Sequence, residues 1–469
     1  MELHDEFIRQ ALGLKGLGKL PTFAGIATDS RSIRAGELFI ALKGEAFDGA
    51  EFIPQALARG ALAVICEARS APLVGSGAAA IVVDDTLAAF RHLAAAWRRS
   101  FRGPVVAVAG SVGKTSTKDM LRALLRGRWP KVLATQGSQN GYVGIPMTLM
   151  NLTPDHGVAV IEVGIDEVGA MAQHCELVAP DAALVTAIAA EHLEKLHDLP
   201  TVAREERLIL EHVARSGALL ALNLDDPWLT EVPKKQNSAR ALGFSLDGAA
   251  VPQGVEGLQG HLSREGVLSL SGLGLDGFSL KVPMPGRHNA RNLLGAVALA
   301  RGLGLERDAI KTGLALFEGS GARSEIRRLG DGSVVLCDYY NASPASVAAG
   351  LDLAEDLFRQ QAGRPVLWVC LGDMLELGRE ELEWHRGLSP RVIATSSTEV
   401  MCLGKRMASL AEELRTQGFK GQVRTYEGYE ELARDLIRER RPGDVILIKG
   451  SRGMKMERVW QELNSDGAP

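Results

Sequence analysis

A chain of 469 residues has room for about three domains, and its 53 Lys+Arg against 57 Asp+Glu give a net charge of −4, without the basic excess of a general nucleic-acid binder. Its longest apolar runs, 104–109 and 217–222, fall far short of the roughly 20 residues of a membrane-spanning helix, and Glu2, His4, Asp5 and Glu6 occupy a start that a secretion leader would make basic and then apolar, so the cytoplasm is the expected location. The five cysteines are odd in number, widely spaced and free of any C-x-x-C pair, which argues against a disulfide framework or zinc cluster and for buried thiols.

From residue 1 to 101, short apolar runs at 38–42, 61–66 and 78–83 alternate with helix-like segments at 52–58 and 87–99, the texture of a small α/β domain. Arg102-Gly103-Pro104 then punctuates the chain before the buried-strand run 105–108. A central domain over 102–318 follows, with strands expected at 158–163, 182–188 and 218–222 in a mostly parallel sheet. Glycine-rich sequence over 243–277 predicts short antiparallel strands, and helices are expected at 289–302 and 307–317. After Glu318-Gly319-Ser320-Gly321, a third α/β domain over 319–469 has strand candidates at 334–337, 366–371, 399–403 and 444–448.

The most chemically specific run is Gly110-Ser111-Val112-Gly113-Lys114-Thr115-Ser116, set between a buried strand and a helix. That arrangement aims turn amides and a helix N-terminus at a triphosphate. Lys114 would neutralise the β and γ oxygens and Thr115 would ligate Mg²⁺. Position 108 is Val, so the pattern is a short G-x-x-G-K-T rather than the longer common form. Glu162 ends the next strand, where an open α/β sheet binds ligands, and His192 stands in a comparable position after 186–188. Read alone, each also suits an ordinary solvated or structural residue. Arg204-Glu205-Glu206-Arg207 reads as a charged helix face.

Together, Gly110-x-x-Gly113-Lys114-Thr115, Glu162, His192-Leu193-Glu194 and Gly286-Arg287-His288-Asn289-Ala290-Arg291-Asn292 resemble the Mur ligases, ATP-dependent amide-forming enzymes of peptidoglycan synthesis. Thr28-Asp29-Ser30-Arg31 is similar to the family's uridine-nucleotide domain. Asp338 through Pro344, Leu371-Gly372-Asp373-Met374-Leu375-Glu376-Leu377-Gly378 and Lys449-Gly450-Ser451-Arg452 resemble its dipeptide-adding branch. The resemblance implies three domains: a small N-terminal one for the UDP substrate, a central P-loop domain and a Rossmann-like C-terminal one. It implies an enzyme that joins D-alanyl-D-alanine to UDP-N-acetylmuramoyl-tripeptide through an acyl phosphate, and a monomer is expected, since nothing in the sequence requires more.

It also implies residue roles. Lys114 would serve catalysis, Thr115 and Glu162 would hold one Mg²⁺, and His192 would help hold a second. Asn289 and Asn292 would contact adenine, and Arg323 and Asp338 would reach the phosphates and ribose. Ser30 and Arg31 would face the uracil and diphosphate, with Asn341, Ser343 and Lys449 on the dipeptide side. The family's T-x-G-N-x-N-N stands here as Thr135-Gln136-Gly137-Ser138-Gln139-Asn140-Gly141, which leaves Asn140 as the substrate-side asparagine of that loop. Relatives carry a CO₂-carbamylated, metal-binding lysine where this chain has Glu206, so Glu206, or Glu205 beside it, is expected to supply a permanent carboxylate to the second Mg²⁺. Hinges are expected near 102–104 and 319–322. Two alternatives stand beside this reading: another amino-acid ligase of the superfamily, and a nucleotide-binding paralogue without turnover.

Overall fold

The computed structural model describes residues 2–15, 18–44, 47–230 and 240–466. It is an α/β protein rich in parallel strands. Backbone contacts divide it into two compact units, one of Met1–Ala107, Trp129–Val163 and Ala172–Asp181, the other of Val108–Arg128, Gly164–Met171 and Ala182–Pro469.

In the first unit a four-stranded parallel sheet runs in chain order through Ile26–Ala27, Leu38–Ile40, Ala63–Glu67 and Ala79–Val83. Beyond it, Val132–Ala134 pairs in parallel with Val158–Glu162. This unit reaches past residue 101 because the helix Thr86–Ser100 is tied to the later segments. Trp97 Nε1 donates to the Leu152 carbonyl at 3.0 Å, and Arg98 donates to the carbonyls of Val178 and Ala179, each at 2.8 Å.

On the helix Ala170–Val178, His174 is fully buried with its ring edge on Tyr142, and neither ring nitrogen has a hydrogen-bond partner among the described residues. Burial, helped by the charge of Arg91, pushes its pKa down to about 3. The unfolded chain takes up this proton as pH falls below about 6.5 while the folded protein does not, so stability is lost progressively toward pH 3. His174→Phe is expected to remove that loss, raising stability at pH 5 by about 2 kcal/mol over the wild type with little difference at pH 7.5. Thermal melts at the two pH values check this, and equal gains at both would refute the proton-linked account.

In the second unit, strands lie in the order Phe278–Lys281, Val267–Gly272, Glu256–Leu262, Arg240–Ser245, Leu219–Asn223 and Ala182–Val185. The glycine-rich region supplies the expected antiparallel ribbon at 256–281, whereas Arg240–Ser245 pairs in parallel on both sides. The two helices expected near 289–302 and 307–317 are observed at Arg287–Gly302 and Arg307–Leu314. A six-stranded sheet follows, ordered Glu325–Arg328, Val334–Asp338, Val445–Lys449, Leu367–Gly372, Glu399–Leu403 and Gln422–Tyr426. Its four central strands were legible as apolar runs. The two edges, Glu-Ile-Arg-Arg and Gln-Val-Arg-Thr-Tyr, were not, since edge strands carry the charges that discourage pairing with other chains. Apolar clusters fill both faces, one around Leu336, Leu351 and Leu447, the other around Cys337, Trp368 and Ile448.

All five cysteines are buried free thiols, as expected, and burial pushes Cys337 up to about 12. No helix among the described residues is long and apolar enough to cross a membrane.

Candidate functional site

Val105–Ala109 is fully buried, as an unbroken β-branched and alanine run should be when covered on both faces. The chain then turns on two glycines that no other residue could replace. Gly110 has φ +116° and a Cβ there would lie 2.3 Å from the Thr186 hydroxyl; Gly113 has φ +86° and a Cβ would lie 2.6 Å from Asn292 Oδ1. Helix Lys114–Leu125 starts directly afterwards, so its first-turn amides face the loop. The loop is held from behind: Gly110 N–H donates to Glu206 Oε2 at 2.8 Å, Ser111 N–H to the Ala187 carbonyl at 2.8 Å, and the Thr186 hydroxyl to the Val112 carbonyl at 2.5 Å. Such a bare-backbone cradle fits a phosphate chain.

Lys114 Nζ donates to the Gly110 carbonyl and lies 3.4 Å from Glu191 Oε2. Burial pushes the Glu191 carboxyl up, against the pull of Lys114 and His192. Sequence reasoning passed over Glu191, and its placement directly before His192 was the available signal. Glu206 is fully buried beneath the loop, and burial raises it to about 8, Lys114 opposing and Glu191 reinforcing the rise. Its Oε1 has no partner among the described residues, and its Oε2 accepts from Gly110 N–H. Through Oε2 the Glu206 carboxyl therefore supports the backbone of the loop that its expected metal would approach. Glu205 is committed elsewhere, accepting from Gly169 N–H at 2.9 Å.

His192 Nδ1 lies 2.6 Å from Glu376 Oε2. Burial works against its proton, but Glu376 and Glu191 outweigh that and the net shift is upward. Asn289, almost fully buried, donates to the Pro285 carbonyl at 2.7 Å and accepts from Asn292 at 3.3 Å. It therefore orients Asn292, which lies against Gly113, and the expectation of direct adenine contact fits Asn292 better than Asn289. His288 starts the same helix and reaches the Ser324 hydroxyl at 3.1 Å.

In the segment after 319, Arg323 stacks its guanidinium 3.8 Å from the Tyr340 ring centroid, and Ser324 N–H donates to Asp338 at 3.0 Å. Lys449, only 2% exposed, donates to Asp338 Oδ2 at 2.7 Å, the Asp338 carbonyl at 3.2 Å and the Asn341 carbonyl at 3.0 Å. An ammonium has three hydrogens and all three are used. Lys449 thus holds the 338–341 turn, on the side where the dipeptide is expected. Ser343 is likewise spent, capping helix Pro344–Arg359 in a reciprocal box with Ser346. Asn341 accepts at its own side-chain oxygen from Ala342 N–H at 2.9 Å.

In the first unit, Glu162 is almost fully buried, accepts from Asn140 Nδ2 at 2.8 Å, and has its N–H held by the Thr135 hydroxyl at 2.9 Å. The structure thus joins the expected carboxylate to the loop's surviving asparagine. Ser30 is buried against Gln55 at 2.7 Å, whereas Arg31 is exposed and forks onto Asp29, whose carboxyl its hydrogen bonds hold at about 2.

Among the described residues no three His, Cys, Asp or Glu side chains form a ready metal cage. The Thr115 hydroxyl and Glu162 carboxylate are hard oxygen donors that suit Mg²⁺, an ion commonly held by one or two carboxylates plus substrate phosphates rather than by protein alone.

Family models match along the chain in succession: the Mur ligase family, catalytic domain, over 22–98; the Mur ligase middle domain over 108–300; and the Mur ligase, glutamate ligase domain, over 322–452. The UDP-N-acetylmuramoyl-tripeptide–D-alanyl-D-alanine ligase of Bacillus subtilis is 33% identical over 441 residues, covering 94% of this chain and 93% of its own. Among solved structures, MurF from Acinetobacter baumannii superposes with TM-score 0.85 at 26% identity over 99% of both chains. MurF from Thermotoga maritima, in complex with ADP, gives 0.78 at 26% identity over 94% of this chain and 97% of its own.

Proposed function

The chain belongs to the Mur ligase family, and from that premise we infer that it is the ATP-dependent ligase that joins D-alanyl-D-alanine to UDP-N-acetylmuramoyl-tripeptide in peptidoglycan precursor synthesis. The observation that carries this reading is whole-length similarity to ligases of that one specificity, together with a glycine cradle and lysine built for a triphosphate.

The chemistry follows from the residues. The tripeptide carboxylate attacks the γ-phosphorus of ATP; the bond to the bridging oxygen breaks and ADP leaves. The dipeptide amine then attacks the acyl carbon, and the carbon–oxygen bond breaks to release phosphate. Both steps bring anions together, so the protein contributes cations and fixed donors rather than a nucleophile. Lys114 exchanges its carbonyl and Glu191 contacts for the β and γ oxygens, while amides at the start of helix Lys114–Leu125 hold the phosphate chain in line. Bound Mg²⁺ would neutralise phosphate charge, with Thr115 and Glu162 as ligands to one ion and the His192 imidazole to a second. Glu206 keeps the loop's first amide in place. Asn292 borders the nucleotide beside Gly113, Arg323 and Asp338 lie toward its ribose and phosphates, and Arg31 meets the diphosphate of the sugar nucleotide. Asn140 fixes Glu162 rather than acting alone. A monomer in the cytoplasm, where ATP is supplied, completes the reading.

Purified protein with ATP, Mg²⁺ and UDP-N-acetylmuramoyl-tripeptide is expected to release phosphate only when D-alanyl-D-alanine is added. Release with a single amino acid but not the dipeptide would favour another ligase of the family, and none with either would defeat catalysis.

A further inference from the structure

Two non-glycine residues with left-handed backbone meet side chain to side chain in the second unit: His192 at φ +50° and Glu376 at φ +65°. Such conformations persist where surrounding structure enforces them, and they concentrate at functional sites. The enforcement here is visible. Glu194 N–H points at the Glu376 carbonyl at 3.4 Å, and Gly378, at φ +70°, packs so closely that a Cβ would lie 3.1 Å from the Leu193 carbonyl carbon and oxygen. The loop after the strand Leu367–Gly372 is therefore docked by its backbone against the helix Leu193–Leu196 that His192 caps.

Out of that docking the Glu376 carboxylate reaches Nδ1 of His192 at 2.6 Å, while Nε2 has no hydrogen bond among the described residues. The Glu376 side chain is 58% exposed, and a pair that open adds little stability, so the contact asks for another purpose. A carboxylate on one imidazole nitrogen fixes the tautomer, aims the other nitrogen and raises its basicity, which is the arrangement a metal-ligating histidine requires.

We propose that Glu376 is a positioning residue that sets His192 to ligate Mg²⁺ through Nε2, so that a loop of the C-terminal sheet contributes to a metal site built on the central one. This rests on the reading of His192 as a metal ligand. It also accounts for the Leu371–Gly378 string, in which Gly372 ends the strand, Glu376 delivers the carboxylate and Gly378 permits the close approach.

The test titrates Mn²⁺ into the full-length protein with saturating ADP, reading free Mn²⁺ by electron paramagnetic resonance. Histidine-labelled NMR in alkaline buffer reports the His192 tautomer. Glu376→Ala is expected to weaken the site that depends on His192 by about 10-fold or more and to lose the single Nδ1–H tautomer, whereas Glu376→Gln, whose amide oxygen still accepts from Nδ1–H, stays within about 3-fold and keeps it. His192→Ala abolishes that site. If His192→Ala binds Mn²⁺ like the wild type, the underlying reading fails. If His192→Ala loses the site but Glu376→Ala keeps both affinity and tautomer, the positioning role alone is overturned. Gln as weak as Ala would also overturn it. Unchanged melting temperature and ADP affinity confirm that each variant is folded.

Discussion

Lys114→Ala is expected to lower kcat for dipeptide-dependent phosphate release by about 10³-fold, the scale set by losing a charge aimed at a transition state. The reason lies in what surrounds the ammonium. Without nucleotide, Lys114 rests on the Gly110 carbonyl and on Glu191, contacts that keep it over the glycine cradle rather than in solvent. No other residue of the loop brings a positive side chain, so nothing nearby can take over. Lys114→Arg is expected to be almost as poor, because a planar fork is a bulkier and differently shaped cation than a point charge. The stability cost should be modest at neutral pH, since Glu191 and Glu206 can take up protons when the cation goes, and should grow in alkaline solution, where they are forced to ionise beside one another. A Lys114→Ala enzyme within tenfold of wild-type kcat would remove the central element of the mechanism.

The parts of this site that could be read from the sequence are those whose meaning is local. Gly110 and Gly113 declare themselves because a strand-to-helix turn under a phosphate demands bare backbone, and Val105–Ala109 because a fully buried parallel strand has no polar face to alternate with. Meaning that depends on a partner distant in the chain was hidden. Glu191 and Glu376 are ordinary acids in sequence; only folding shows one against Lys114 and the other against His192. For Lys449 the hidden part is its own set of partners. Its charge invited a substrate role, but sequence carries the charge and not the 2% exposure or the three acceptors that consume it. Ser343 and Asn289 are alike in this, their polar atoms being engaged by a helix cap and a backbone carbonyl. Patterning places hydrogen-bonding groups along the chain, and tertiary structure decides which of them are left over for a ligand.

Glu206→Gln is expected to leave kcat within about threefold of wild type and to raise stability, increasingly so as pH climbs. Gln is nearly isosteric; its side-chain oxygen can accept from Gly110 N–H, and its amide group occupies the place of the unpartnered Oε1. The sign follows from linkage. With its folded pKa raised from 4.5 to about 8, Glu206 keeps its proton in the folded protein while the unfolded chain releases it, so wild-type stability falls as pH rises through that window and levels off above it. A neutral amide removes this decline. Melting temperatures of the two proteins should nearly coincide at pH 4.5 and diverge by pH 7, where the gain is on the order of 3 kcal/mol. Glu206→Ala should do the reverse, leaving a buried amide unpaired and a cavity beneath the loop, with loss of both stability and ADP affinity. Because a glutamate stands where relatives carry a carbamylated lysine, wild-type turnover should also be indifferent to rigorous removal of CO₂. Loss of activity in CO₂-free buffer would show that a carbamate elsewhere in the chain is needed, whereas a Glu206→Gln protein that folds and binds ADP but turns over a hundredfold more slowly would return Glu206 to the metal and refute its role as loop support.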